Sequence, residues 1–144
     1  MDVLTTLDIS KKLRDQGIRL TPQRLAIAEV VINSADHPTA RDIYARVREF
    51  FPYLTLATIY STLSILETAG LVAQLPFQKE SRYDSNNTLH LNLVCTKCES
   101  IVDCDSGSSY LSRIKKKIQD SGLFQIKYQR FDIYGLCETC SKQF

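Results

Sequence analysis

Thr55-Leu56-Ala57-Thr58-Ile59-Tyr60-Ser61-Thr62-Leu63-Ser64-Ile65-Leu66-Glu67-Thr68-Ala69-Gly70-Leu71-Val72-Ala73-Gln74-Leu75 changes its hydrophobic period at a glycine, and that change decides the fold. Before Gly70, the apolar residues Leu56, Ile59, Leu63 and Leu66 recur at spacings of three, four and three, which predicts one buried stripe of a helix capped by Thr55. Gly70 predicts a left-handed stop. Residues 71–75 then read as a strand, residues 76–81 as a turn and Arg82-Tyr83-Asp84 as a returning strand. A helix followed at once by such a hairpin predicts the wing of a winged helix-turn-helix.

Working toward the N-terminus, the punctuation predicts three more helices. Residues 4–16 carry Leu7, Ile9 and Leu13 as apolar positions and stop at Gly17. Thr21-Pro22 supplies an N-cap and a proline at the first helical position for a helix that buries Leu25, Ile27, Ala28, Val31 and Ile32. Thr39, in the turn His37-Pro38-Thr39, caps a third, with Ile43, Val47 and Phe50 inward and Pro52 as its stop. Toward the C-terminus, Asn86-Asn87 is a polar break, which places a domain boundary between about 82 and 88. Beyond it lie a short strand into Cys95, another through Ile101-Val102-Asp103 and a helix over residues 108–121 ended by Gly122. A β-rich stretch covers residues 124–134, where alternation through Phe124, Ile126 and Tyr128 slips to Phe131 and Ile133, predicting a bulge or a bend.

Composition narrows the class of protein. The 144 residues are 44% apolar and 24% charged, the balance of a soluble globular chain of one ordinary or two small domains. The absence of a long apolar run and of a basic leader predicts a cytosolic protein. A net charge of +2 names no partner by itself. Locally, Lys11, Lys12, Arg14, Arg19 and Arg24 stand against Asp15 alone, an excess suited to phosphates beside a recognition helix. The predicted outer face of that helix, with Thr58, Tyr60, Ser61 and Ser64, suits a major groove, and it equally suits a solvated amphipathic helix.

Two CxxC pairs, Cys95-Thr96-Lys97-Cys98 and Cys137-Glu138-Thr139-Cys140, predict a structural Zn²⁺ held by four thiolates. A redox CxxC or two disulfides are the competing readings; a redox pair usually stands alone at a helix start, and here the pairs come matched. The fifth cysteine, Cys104, fits a small buried hydrophobe or a thiol sensor. The two histidines belong to separate neighbourhoods. His90 lies five residues before Cys95, and on a strand it shares a face with Asn92. With His37, Asp84 and Asp103 these residues form a nitrogen-and-oxygen set suited to Fe²⁺ or Mn²⁺. A turn histidine and surface carboxylates are the plainer account of the same residues. No Gly-rich phosphate loop is present and both histidines are accounted for, so no enzymatic role is predicted.

Gly17-Ile18-Arg19-Leu20-Thr21-Pro22-Gln23-Arg24, His37-Pro38-Thr39, Ala57-Thr58-Ile59-Tyr60, Gly70-Leu71-Val72, Ile101-Val102-Asp103 and Ile133-Tyr134-Gly135-Leu136-Cys137, in this order around the first CxxC, resemble the ferric uptake regulator family. The resemblance implies an α+β protein: a winged-helix DNA-binding domain at 1–83, then a small α/β dimerisation and metal-binding domain at 84–144 with a Cys₄ zinc site. It implies a cytoplasmic homodimeric repressor of double-stranded operator DNA, read by Arg19, Thr58, Tyr60 and Ser61. It further implies a regulatory Fe²⁺ or Mn²⁺ on His37, Asp84, His90, Asn92 and Asp103. Asp at 84 and 103, and Ser61, are similar to the peroxide-sensing branch, in which iron-bound peroxide would oxidise His37 or His90. An iron-responsive repressor of the same fold is the alternative. Asn92 departs from the family pattern, which has histidine there, and an amide oxygen is the weaker ligand.

Overall fold

The computed structural model of the protein describes residues 3–75, 79–126 and 129–143, arranged as two compact units, Met1–Asn87 and Thr88–Phe144. The first unit begins with four helices, three of which start at the threonine caps read from the sequence, while the cap of the first, Thr5, was not foreseen. In α1 (Thr6–Asp15) the Thr5 hydroxyl accepts the Asp8 N–H at 3.2 Å while the Asp8 carboxylate accepts the Thr5 N–H at 2.9 Å. Thr21 and Thr55 cap α2 (Pro22–Asn33) and α4 (Leu56–Thr68), and Thr39 caps α3 (Ala40–Val47) with a second reciprocal pair to Asp42. Gly70 ends α4 at φ 74°, the left-handed stop that the sequence predicts.

The four helices enclose Ile9, Leu13, Ile27, Val31, Ile43, Ile59, Leu63 and Leu66, none more than 1% exposed. Each such side chain contributes about 1.5–3 kcal/mol through removal from water, so this cluster is what holds the unit together. Two expected core positions are instead exposed: Leu7 at 79% and Phe50 at 78%. Leu7 is two residues from Ile9, about 200° around the helix and so on the opposite side. Phe50 lies beyond the end of α3, in a turn closed by its own N–H to the Val47 carbonyl at 3.1 Å.

β1 (Ala73–Leu75) pairs antiparallel with β2 (Arg82–Asp84), with Ala73 opposite Asp84, which forms the expected wing. Residues 76–78 of the predicted turn lie outside the described residues. Asp84, read from the sequence as the first residue of the second domain, is the last residue of β2 in the first unit.

In the second unit, β3 (Leu91–Cys95) is the central strand, antiparallel to β4 (Ile101–Cys104) and parallel to β5 (Phe131–Gly135). A parallel neighbour needs a crossover, and α5 (Ser108–Asp120) lies within it. The strand expected over residues 124–134 is shorter than predicted. Among the described residues it starts at Phe131, and Phe124 is 67% exposed outside it; Tyr128, where the expected slip begins, lies outside the described residues. A short α6 (Glu138–Ser141), not foreseen, follows Cys137.

Burial differs sharply between the units. Among the described residues, the only buried apolar side chains of the second are Val94, Cys95 and Cys140, and α5 buries none. Leu93 faces Val102 on one side and Ile133 on the other, a row across one sheet face that stays 37%, 55% and 53% exposed.

Candidate metal centres

The parallel pairing of β3 with β5 brings the CxxC pairs together, since Cys95 ends β3 directly opposite Gly135, two residues before Cys137. Glu99 at φ 62° turns the first knuckle, with its N–H donating to the Cys95 carbonyl at 3.0 Å and the Cys95 N–H donating to the Ser100 carbonyl at 2.9 Å. Cys137 opens the second as the N-cap of α6, its carbonyl accepting the Ser141 N–H at 2.9 Å. The Sγ atoms of Cys95, Cys98, Cys137 and Cys140 all lie within 4.8 Å of one another. Tetrahedral Zn–S bonds of about 2.3 Å imply an S···S edge of roughly 3.8 Å, and Cys98 and Cys137 are 3.8 Å apart. All four are free thiols, so the disulfide reading does not describe them. The chemistry of the donor set therefore fits one tetrahedral ion.

The same four groups polarise one another. Backbone N–H donation from Cys98, and next from Cys137, lowers the Cys95 thiol to about 6. The Ser100 hydroxyl lowers Cys98, while the Cys137 sulfur, followed by burial, pushes Cys140 up to about 12. Crowded thiols cannot all ionise alone; a divalent cation removes that conflict by ligating them as thiolates.

The second ligand set divides between the units. In the first, His37 is a non-glycine residue at φ 50°, held there because the following turn is stitched to β2: Arg82 donates to the His37 carbonyl at 3.2 Å and the Tyr83 N–H to the Pro38 carbonyl at 3.0 Å. This sets the buried imidazole beside the buried Asp84, with Nε2 3.8 Å from Oδ1. The Asp84 carboxylate also accepts the Asn86 N–H at 2.8 Å.

In the second unit, His90 Nδ1 lies 2.7 Å from the Thr88 carbonyl, which can only accept, so the proton is on Nδ1 and the lone pair is on Nε2. Nε2 is 3.6 Å from the Asp103 carboxylate. Asn92 sits opposite Asp103 in the β3–β4 register and is 2% exposed. Its Nδ2 donates to Asp132 at 3.1 Å, while its buried Oδ1 has no hydrogen-bond partner among the described residues. A buried oxygen without a hydrogen-bond partner, two residues from His90 and opposite Asp103 in the strand register, is what a hard divalent cation would satisfy. Asp132 was passed over in the sequence; the signal was one acidic residue within the apolar Phe131-Asp132-Ile133-Tyr134 strand.

The expected DNA-contacting residues all lie on the first unit. Tyr60 and Ser61 are exposed on α4 and Thr58 is half-buried near its start. Ser61 Oγ donates to the Thr58 carbonyl at 3.1 Å, which leaves its lone pairs outward. Arg19 is exposed, and its carbonyl accepts Arg24 at 2.6 Å. Lys11 is ion-paired to Asp15 at 2.9 Å, so Lys12, Arg14, Arg19 and Arg24 carry the local positive excess.

Comparison with known proteins agrees with this architecture. The pattern of the Ferric uptake regulator family matches residues 15–134. The peroxide operon regulator of Bacillus subtilis is 36% identical over 132 residues, covering 91% of this chain and 90% of that protein. The peroxide-responsive repressor PerR of Staphylococcus aureus strain Mu50 is 38% identical over 129 residues, covering 89% and 86%. Among solved structures, the Campylobacter jejuni peroxide stress regulator superposes with a TM-score of 0.71 at 25% identity over 97% of this chain and all of the other. The Helicobacter pylori ferric uptake regulator reaches 0.77 at 17% identity, covering 98% and 97%, a likeness of fold.

Proposed function

The chain belongs to the ferric uptake regulator family, and we propose that within it the protein is a metal-dependent homodimeric repressor that senses hydrogen peroxide and then releases operator DNA. The regulators it resembles at 36–38% identity are named for peroxide response, which supports this reading over an iron-responsive repressor. It acts in the cytoplasm on double-stranded DNA and turns over no substrate.

Cys95, Cys98, Cys137 and Cys140 hold a structural Zn²⁺. His37 and Asp84 from the DNA-binding unit, with His90, Asn92 and Asp103 from the other, jointly hold Fe²⁺ or Mn²⁺. The observation that carries this reading is His90: its Nδ1 is tied to a carbonyl, which puts the ring's lone pair on Nε2, 3.6 Å from the Asp103 carboxylate. When bound, Fe²⁺ supplies the reduction of hydrogen peroxide that drives oxidation of an adjacent imidazole. An oxygen atom is added to a ring carbon of His37 or His90 and the other leaves as water. The oxidised ring is the poorer donor, the grip between the units is lost, and Arg19, Thr58, Tyr60 and Ser61 no longer present together to two half-sites.

Among the described residues, ten of the fifteen large apolar side chains that stay exposed belong to the second unit, including Leu93, Val102, Ile114, Ile118 and Ile133, and a second copy of the chain is the partner that covers them. The test takes one zinc-loaded sample, charges it with Fe²⁺ or Mn²⁺, and measures operator affinity by gel shift before and after peroxide. Loss of binding in the iron form alone, with the mass of one oxygen atom added to a peptide holding His37 or His90, is the expected result. Equal loss with both metals, or none with either, would overturn the proposal.

A further inference from the structure

The carboxamide of Asn92 faces a choice that the histidine usual in the family does not, since its two ends have opposite polarity. Only the oxygen can ligate a cation, and at ordinary precision the two ends are told apart by their hydrogen bonds. Here the neighbour decides. Asp132, directly opposite Asn92 in the parallel β3–β5 pairing, takes the amide nitrogen on Oδ1 at 3.1 Å. A flipped amide would set oxygen against a carboxylate oxygen at the same distance. Asp132 is itself held: its Oδ2 accepts Arg130 Nη2 at 2.7 Å and the Tyr134 hydroxyl at 3.5 Å, and its side chain is 10% exposed. With both its oxygens engaged, Asp132 is not placed as a ligand.

We propose that Asp132, locked by Arg130, is a positioning residue that orients Asn92 so that its Oδ1 serves as a divalent-cation ligand. The inference rests on the assignment of Asn92 to the regulatory site made above. Its effect belongs to a class in which loss of an outer partner weakens metal binding by about 10- to 100-fold.

The experiment is a Mn²⁺ titration, followed by electron paramagnetic resonance, of the full-length zinc-loaded protein and of Asn92→Ala, Asp132→Ala and the isosteric Asp132→Asn. Zinc content and the circular dichroism spectrum report folding; should Asp132→Ala lose either, Asp132→Asn carries the test. Both Asp132 variants are expected to weaken Mn²⁺ by about 10- to 100-fold. In an Asn92→Asp background the Asp132→Ala change is expected to cause no loss, because the two oxygens of a carboxylate are equivalent and need no orienting. A purely structural role for Asp132 would show no such rescue. If Asn92→Ala leaves Mn²⁺ affinity unchanged, the assignment of Asn92 as a ligand fails. If Asn92→Ala weakens binding and the Asp132 variants do not, this inference alone fails. If Asp132→Ala weakens binding more than Asn92→Ala does, Asp132 is a ligand itself and the positioning role is overturned.

Discussion

Replacing Cys140 with serine tests what holds the second unit together. The side chain is buried, and it is one of only three buried apolar groups that the described residues of that unit contain, two of them cysteines of the zinc set. The third, Val94, contributes about 1.5–3 kcal/mol by burial. A structural zinc ion contributes on the order of 10–16 kcal/mol at neutral pH, several times more. A serine hydroxyl stays protonated where a thiolate is needed, so Cys140→Ser keeps three ligands and forfeits most of that stabilisation. The first unit, with its own cluster around Ile59 and Leu63, is unaffected. Zinc content by elemental analysis and hydrogen exchange of backbone amides check this. Zinc should fall well below one ion per chain, and amides of β3 and β5 should exchange rapidly while those of α2 and α4 keep their protection. A zinc-free variant with unchanged protection in β3 and β5 would refute the reasoning, since the fold of that unit would then not depend on the ion.

If the exposed row of Val102, Leu93 and Ile133 is the face of the proposed dimer, Val102→Asp should yield monomers in analytical ultracentrifugation, because a twofold interface would meet the new charge twice; an unchanged sedimentation profile would place the interface elsewhere. Leu63→Ala, at a position 1% exposed, should cost about 2–5 kcal/mol in urea unfolding of the first unit, whereas Leu7→Ala should stay within about 0.5 kcal/mol. The Arg46 guanidinium, 2.6 Å from Asp36, holds that carboxyl below the ordinary range, so the pair's stabilisation is complete above the unfolded value near 4 and disappears as pH falls through the folded one. Because both groups are largely exposed, Asp36→Asn should lower stability by at most about 1 kcal/mol at pH 7 and by nothing in strong acid, as read from urea midpoints against pH.

The helical half was legible because local rules and global packing agree there. Three threonine caps, a proline at N1 and the leucine stripe of α4 each act within a few residues, and the structure uses all of them, with Thr5 as a fourth cap that was not read from the sequence. Leu7 and Phe50 were misplaced since hydrophobicity alone does not say where a short helix ends or which apolar residue faces out. The zinc set was legible from spacing, because a CxxC turn imposes its own geometry. The strand pairing was not. That β3 runs parallel to β5, and so sets Asp132 beside Asn92, depends on contacts forty residues apart that no local period encodes. The orientation of His90 toward ligation was hidden for a different reason, since it rests on a backbone carbonyl and leaves no mark on residue identity.

β3 carries Asn92 and Cys95 three residues apart, about 10 Å at the rise of an extended strand. On the proposed function, zinc capture is expected to precede loading of the regulatory metal, because the ion that fixes Cys95 also fixes the strand on which the oxygen of Asn92 is carried. A sample stripped of zinc is then expected to take up little Mn²⁺ at any concentration, and equal uptake with and without zinc would refute that order.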